Sequence, residues 1–152
     1  MLPPIKRYTG FRISQNTAVN PDTTGLRRRY HVVLNSKSGA AMALGLTAET
    51  LRARFDAHGH EVTIDAEVGA DFGDRIARAI ACDAEVVVSA GGDGTATALA
   101  SQLIGSGKCL AVLPLGTANL LARDLNVPVD LDHAIAELGA MTPIQIDVGE
   151  VY

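Results

Sequence analysis

The stretch Ala84-Glu85-Val86-Val87-Val88-Ser89-Ala90-Gly91-Gly92-Asp93-Gly94-Thr95 decides the fold of this 152-residue chain. Its first seven residues are almost all apolar, the pattern of a strand covered on both faces. The alanine-rich run that follows, Ala96 to Leu103, reads as a helix. A glycine-rich turn between a buried strand and a helix is suited to phosphate. Glycine allows close backbone approach and positive φ without a Cβ clash, and the helix start offers unpaired N–H groups and the positive end of its dipole. Asp93 is no direct anion ligand in such a turn, but it suits handling of Mg²⁺ or removal of a proton from an attacking hydroxyl. The chemistry indicated is phosphoryl transfer.

Outward from this turn, strand and helix patterns alternate. Strands are predicted over 30–35, 61–66, 84–90, 109–113 and 144–148, and helices over 47–57, 71–82, 95–104, 117–125 and 131–138. Thr47 is the expected N-cap of the first helix, and Phe72, Ile76 and Ile80 are the expected apolar face of the second. The segment from Asn35 through Gly45 reads as a loop. Alternation of this kind implies an α/β, three-layer Rossmann-like domain with a mainly parallel sheet, whose ligands bind beyond the carboxyl ends of the strands. Three polar, glycine-bearing loops fall there: Asn35-Ser36-Lys37-Ser38-Gly39, Gly91 to Thr95, and Pro114-Leu115-Gly116-Thr117-Ala118-Asn119. Asn35, Ser36, Ser38 and the Gly39 N–H suit phosphate or ribose oxygens. Gly116 gives close approach, Thr117 reads as a helix cap and Asn119 as a two-way hydrogen-bonding amide.

Length allows one domain with a real core. Residues 1–29 hold six basic residues against Asp22 alone, whereas the remainder holds seven basic and sixteen acidic residues. The first segment, with Pro3, Pro4, Pro21 and Gly25, reads as a flexible basic leader without fixed structure, and 30–152 as the folded domain. An acidic domain argues against nucleic acid as the partner. No apolar run approaches the roughly 18 residues of a membrane span, and no signal-peptide core is present. Cys82 and Cys109 form no disulfide framework or metal spacing, so they read as small buried thiols in a reducing, cytoplasmic setting. His31, His58, His60 and His133 are scattered and read as packed or surface residues. There is no Gly-Lys-Ser/Thr tripeptide, which excludes a P-loop, and Thr97 stands where a dinucleotide fingerprint needs its third glycine.

From about Tyr30 to Tyr152 the chain resembles the catalytic domain of the diacylglycerol kinase family of lipid kinases, which shares its fold with NAD kinases and, more distantly, phosphofructokinases. The family's Gly-Gly-Asp-Gly-Thr is matched in full by Gly91 to Thr95, and its Pro-x-Gly-Thr-x-Asn-x-x-Ala-Arg by Pro114 to Arg123. Its Asn-Pro-x-Ser-Gly is met by Asn35 to Gly39 with Ser36 for Pro. The resemblance implies ATP contacts at Asn35, Ser38, Gly39, Gly91, Gly92, Gly94, Thr95, Gly116, Thr117 and Asn119. It implies Asp93 near the γ-phosphate, through Mg²⁺ and water or as a base, and Asp147 in the metal's water network.

Three positions depart from the family pattern: Thr97-Ala98 stand for Asn-Glu, Leu120 for Asp, and Ala66-Glu67 where a Thr is frequent. The family continues into a β-rich C-terminal domain that completes the substrate cleft, and this chain is expected to lack it. The function implied is transfer of the ATP γ-phosphate to a lipid hydroxyl. The lipid alcohol would be met at a membrane surface through the missing domain, with peripheral membrane association, and this chain alone would show little activity. Two alternatives stay open, a non-enzymatic nucleotide-binding or regulatory module and a small-molecule kinase of the NAD kinase type. Homo-oligomerisation is left open.

Overall fold

The computed structural model of the chain describes residues 5–15, 29–67 and 69–151. Six strands form one sheet: β1 (Ile5–Gln15), β2 (Arg29–Leu34), β3 (Glu61–Asp65), β4 (Val86–Gly91), β5 (Cys109–Pro114) and β6 (Thr142–Val151), in the order β3-β2-β4-β5-β1-β6. Pairings through β1 are parallel, and β6 runs antiparallel to β1. The α/β architecture with a mainly parallel sheet is therefore as expected. β4 and β5 are buried along their whole length, which is why they read as near-continuous apolar runs.

The helices are α1 (Gly39–Ala43), α2 (Ala48–Ala57), α3 (Phe72–Ala81), α4 (Asp93–Leu103), α5 (Leu120–Asp124) and α6 (Leu131–Glu137), followed by a 3₁₀ turn at Leu138–Ala140. α2 and α6 pack together over one part of the sheet, while α3, α4 and α5 form a second packed row. Local chemistry sets several boundaries. Thr47 caps α2 in a reciprocal box with Thr50, and Asp71 and Asp130 cap α3 and α6 through their carboxylates. Leu51 and Phe55 of α2 are fully buried, with Phe55 against the Tyr30 and His60 rings. Among the described residues no helix is long and apolar enough to cross a membrane.

Four expectations are corrected. Within the supposed flexible leader, Ile5–Gln15 is a strand, laid between β5 and β6. Its charges are compatible with that, because a strand turns alternate residues to opposite faces: Arg12 is exposed and Ile13 is buried. Residues 16–28, with Pro21 and Gly25, lie outside the described residues. Inside the loop expected through Gly45, Ser38 caps the short helix α1 by accepting from the Ala41 N–H at 3.3 Å. The buried face of α3 is Arg75, Ile76 and Ala79, with Ile80 turned out, so the apolar spacing of four gave way to a face that includes a guanidinium. Finally, α5 starts at Leu120 rather than Thr117, for a reason that lies in the site itself.

Candidate functional site

Strand order locates the site. From β2 the chain moves outward to β3 and then returns past β2 to β4, so the connections diverge between β2 and β4. In open parallel sheets that divergence leaves a crevice at the carboxyl ends of the two strands. The loops after β2 and β4 flank it, and the loop after β5 lies beside the second. All three predicted loops are thus on one edge.

They are also bonded to one another. The Asn35 N–H donates to the Ala90 carbonyl at 2.9 Å, joining the first loop to the second. The Leu115 N–H donates to the Gly91 carbonyl at 3.3 Å, joining the third to the second. Gly92 and Gly116 meet backbone to backbone, and a Cβ built on Gly116 would lie 2.5 Å from the Gly92 Cα. A Cβ on Gly91 would strike the Thr95 hydroxyl at 2.8 Å and the Asn35 Cβ at 3.2 Å. These three glycines therefore admit other parts of the protein, and none of Gly91, Gly92 or Gly94 has positive φ. The positive φ that these glycines would allow is not used, and their small size lets the loops approach one another closely. Gly39 and Gly94 differ, since a Cβ at either would meet nothing within 4 Å.

Asp93 supplies the strongest link. Its two carboxylate oxygens accept the N–H groups of Leu120 and Leu121, each at 3.1 Å. A carboxylate 27 residues away in sequence thus caps α5, and this bond sets the helix start. Thr117, expected as the cap, is exposed and lies outside the helix. Asn119 enters α5 in the left-handed region at φ 52°, which asparagine tolerates when its side chain bonds locally. Here its amide oxygen accepts the Gly116 N–H at 2.7 Å and its amide nitrogen donates to the Gly116 carbonyl at 2.8 Å. Asn35 accepts the Lys37 N–H at 3.2 Å, so Asn35, Ser38 and Asn119 all shape the loops that carry them.

The chemistry that remains facing outward is specific. The first turn of the eleven-residue α4 has no side-chain cap, leaving the backbone donors at 93–95 without intrahelical acceptors. Asp93 is the one carboxylate within the three loops. No group of three or more metal-ligating side chains occurs among the described residues. That donor set suits Mg²⁺, which keeps water and is held by one or two carboxylates together with substrate phosphates. Lys37 and Arg123 are exposed on the first loop and on α5. Beside the first loop, a cavity of about 510 Å³ is lined by Ser36, Leu46, Thr47, Ala48, Glu49 and Ala66.

Asp147 is not brought to this edge. β1 pairs with β5 through Arg12 opposite Cys109, the first residue of β5, and β6 pairs with β1 through Gln145 opposite Arg12. Two residues further along β6, Asp147 stands at the irregularity between the Tyr8 and Phe11 pairs, beyond the amino end of β5. At about 3.3 Å per residue it is roughly 20 Å along the strand direction from the Pro114 edge. The backbone register thus separates it from Asp93, and its side chain lies outside the described residues.

One arrangement was invisible to pattern reading. Behind the first loop, Arg75 of α3 is buried and donates through Nε to Asp65 Oδ1 at 3.0 Å. Its Nη2 donates to the Leu34 and Asp65 carbonyls, both at 2.8 Å. Arg78 closes on Asp65 Oδ2 at 2.9 Å and on Glu67 at 2.9 Å. Burial pushes the Asp65 carboxyl upward, but the Glu67 N–H and the Arg78 and Arg75 guanidiniums outweigh it and hold the group below its ordinary value. A helical Arg reads as solvated in sequence; the only available signal was an acid closing a strand ten residues before it.

The structure is a doubly wound α/β domain with three interlocked glycine loops, open helix-start donors and one carboxylate at the switch point, an arrangement suited to phosphate. The comparisons narrow the class. Residues 29–151 match the diacylglycerol kinase catalytic domain, and the chain belongs to that family. A protein of Stenotrophomonas maltophilia (strain K279a) described as "probable lipid kinase YegS-like" is 34% identical over 133 residues, covering 79% of this chain and 40% of the relative. One from Klebsiella pneumoniae (strain 342) with the same description is 41% identical over 75 residues, covering 47% of this chain and 25% of the relative. The crystal structure of a diacylglycerol kinase from Bacillus anthracis str. Sterne shares the fold with a TM-score of 0.56 at 23% identity, over 77% of this chain and 41% of that one. The matched part of the chain spans 40% and 25% of the two curated relatives' lengths.

Proposed function

We propose that the chain is the ATP-binding part of a lipid kinase that transfers the γ-phosphate of ATP to a lipid hydroxyl of diacylglycerol type. The observation that carries this reading is the interlocking of the three loops, which presents the free N–H groups at the start of α4 beside Asp93. Phosphoryl transfer asks a protein mainly for positioning and charge neutralisation, and that edge offers both. Backbone donors at 93–95 and the open space at Gly94 receive phosphate oxygens, and Lys37 adds positive charge from the first loop. The cavity that Ser36 and Ala66 help to line takes the base, its size within the usual range for small-molecule sites. Mg²⁺, when bound, neutralises phosphate charge, with Asp93 as its one protein carboxylate. Each Asp93 oxygen spends one acceptor position on α5 and keeps another for a metal-bound water. The acceptor lipid draws on residues outside the matched segment, at a membrane surface.

A second reading, a nucleotide-binding module without transfer, is favoured by one observation: the carboxylate expected to do chemistry is already engaged by two N–H groups. Calorimetric titration of ATP with Mg²⁺ and with EDTA, on wild type and Asp93→Asn, separates the two. Mg²⁺-dependent affinity that is lost in the variant supports the kinase reading. Affinity indifferent to both supports the module, and absence of ATP binding by wild type refutes both.

A further inference from the structure

We propose that Arg75 is a positioning residue that sets the gap between the first loop and the end of β3, and so selects for the base of the nucleotide. The inference rests on the nucleotide reading above. In the ladder between β2 and β3 the last pair is Val33 with Asp65, and one residue later the two chains part. Leu34 leads into Asn35 and Ser36, while Asp65 leads into Ala66. Ser36 and Ala66 both line the cavity, and the β2–β3 ladder ends before either of them.

Arg75 supplies the missing rung. One nitrogen, Nη2, bridges the carbonyls of Leu34 and Asp65, the last residues of the two strands, at 2.8 Å each. Nε meanwhile takes Asp65 Oδ1 at 3.0 Å, which fixes the plane of the guanidinium. Arg75 does not line the cavity; it acts through the backbone on either side of it. Only the rigid fork of arginine can hold these oxygens together from a helix position. Lysine carries a single nitrogen on a flexible stem and cannot reproduce the set. Arg78 differs in kind, because it binds side-chain oxygens of Asp65 and Glu67 and neither strand-end carbonyl.

The phosphate-binding donors at 93–95 lie on α4, outside this clamp, which gives the experiment its discrimination. Dissociation constants of the 152-residue chain for Mg·ATP and for Mg·tripolyphosphate are measured on wild type, Arg75→Lys and Arg78→Gln, with circular dichroism as a check of folding. Wild type is expected to prefer ATP. Arg75→Lys should reduce that preference about tenfold, the equivalent of roughly one hydrogen bond of positioning, with tripolyphosphate affinity unchanged. Arg78→Gln should keep the preference. Should Arg75→Lys fail to fold, Arg75→Gln, which retains a donor on a shorter stem, replaces it in the same comparison.

A general loss of structure would weaken both ligands together, and that outcome refutes the positioning role. An unaltered preference in Arg75→Lys, or equal affinity of wild type for the two ligands, refutes the inference and leaves the nucleotide reading standing. Wild type that binds neither ligand refutes the nucleotide reading itself.

Discussion

Asp93 carries two roles that a single substitution series can separate. Its carboxylate closes the start of α5, accepting from Leu120 and Leu121 at 3.1 Å each. Replacing an N-terminal capping side chain with alanine typically costs about 0.5–2 kcal/mol. Loss of a negative charge at a helix start adds about 0.3–1 kcal/mol. Asp93→Ala should therefore destabilise the ligand-free chain by about 1–3 kcal/mol. Asp93→Asn keeps one acceptor oxygen but loses the charge and the second acceptor, so its cost should be roughly half that. For a chain of this size each kcal/mol moves the thermal midpoint by roughly 2–4 °C.

The assay is urea unfolding of ligand-free protein, with the Gly94→Ala variant as reference for a change in the same turn. A carboxylate whose task was purely chemical would show the opposite pattern, since removing such groups commonly leaves stability unchanged or raises it. Asp93→Ala as stable as wild type would refute the cross-loop cap. The start of α5 at Leu120 would then need a different physical cause.

Further tests follow from the same geometry. Gly116→Ala places a Cβ 2.5 Å from the Gly92 Cα, so the two loops must separate; a loss of about 1–3 kcal/mol by urea midpoint is expected, together with weaker nucleotide binding. Gly94→Ala has open space and ordinary φ, so it should keep or gain about 0.5–1 kcal/mol while losing ATP affinity; equal ATP affinity would show that no phosphate approaches there. His31 is buried with neither ring nitrogen partnered, and that burial holds its pKa below 6.5, Asp65 opposing and Lys108, Arg78 and Arg75 assisting. The neutral ring is thus favoured in the folded state, and stability present above pH 6.5 is lost as pH falls below it. Urea midpoints of wild type and His31→Gln should accordingly converge on acidification. At lower pH the lowered pKa of Asp65 acts in the same sense, its contribution being present above pH 3.8 and lost as pH falls through the folded value, which Asp65→Asn should abolish.

Much of this fold can be read from local pattern, because the deciding information is local. The apolar run before Gly91, the Thr47 cap, and the polar turns after β2, β4 and β5 each encode their own conformation within a few residues. That the three loops share one edge of the sheet was legible for the same reason. What those residues do was less so. Asn35, Ser38 and Asn119 read as ligand groups because their chemistry permits it, yet each is held by its own loop. Gly91, Gly92 and Gly116 read as admitting a ligand; in the fold Gly92 and Gly116 face each other across two loops, and Gly91 faces Thr95 of its own turn and then Asn35 of the first loop. Whether a small residue makes room for phosphate or for another backbone depends on contacts between segments more than twenty residues apart. The same holds for the bond from Arg75 to the Leu34 carbonyl, 41 residues away.

The first strand shows how such distance matters for the site's limits. Read locally, 1–29 is a basic segment with prolines. In the sheet, β1 lies between β5 and β6, and among the described residues β6 joins the sheet through β1. β1 is also offset, its Arg12 facing the first residue of β5, so that most of β1 and β6 extends past the amino end of the parallel strands. That offset carries Asp147 away from Asp93, and a metal held jointly by the two is incompatible with this register. On the kinase reading, charge neutralisation near the γ-phosphate would come from Mg²⁺, with Asp93 as its ligand, and from the basic side chains on the loops, with any second carboxylate supplied from residues outside the three loops. An Asp147→Asn variant that keeps Mg²⁺-dependent ATP affinity, beside an Asp93→Asn variant that loses it, is the outcome this register requires; equal losses in both would overturn it.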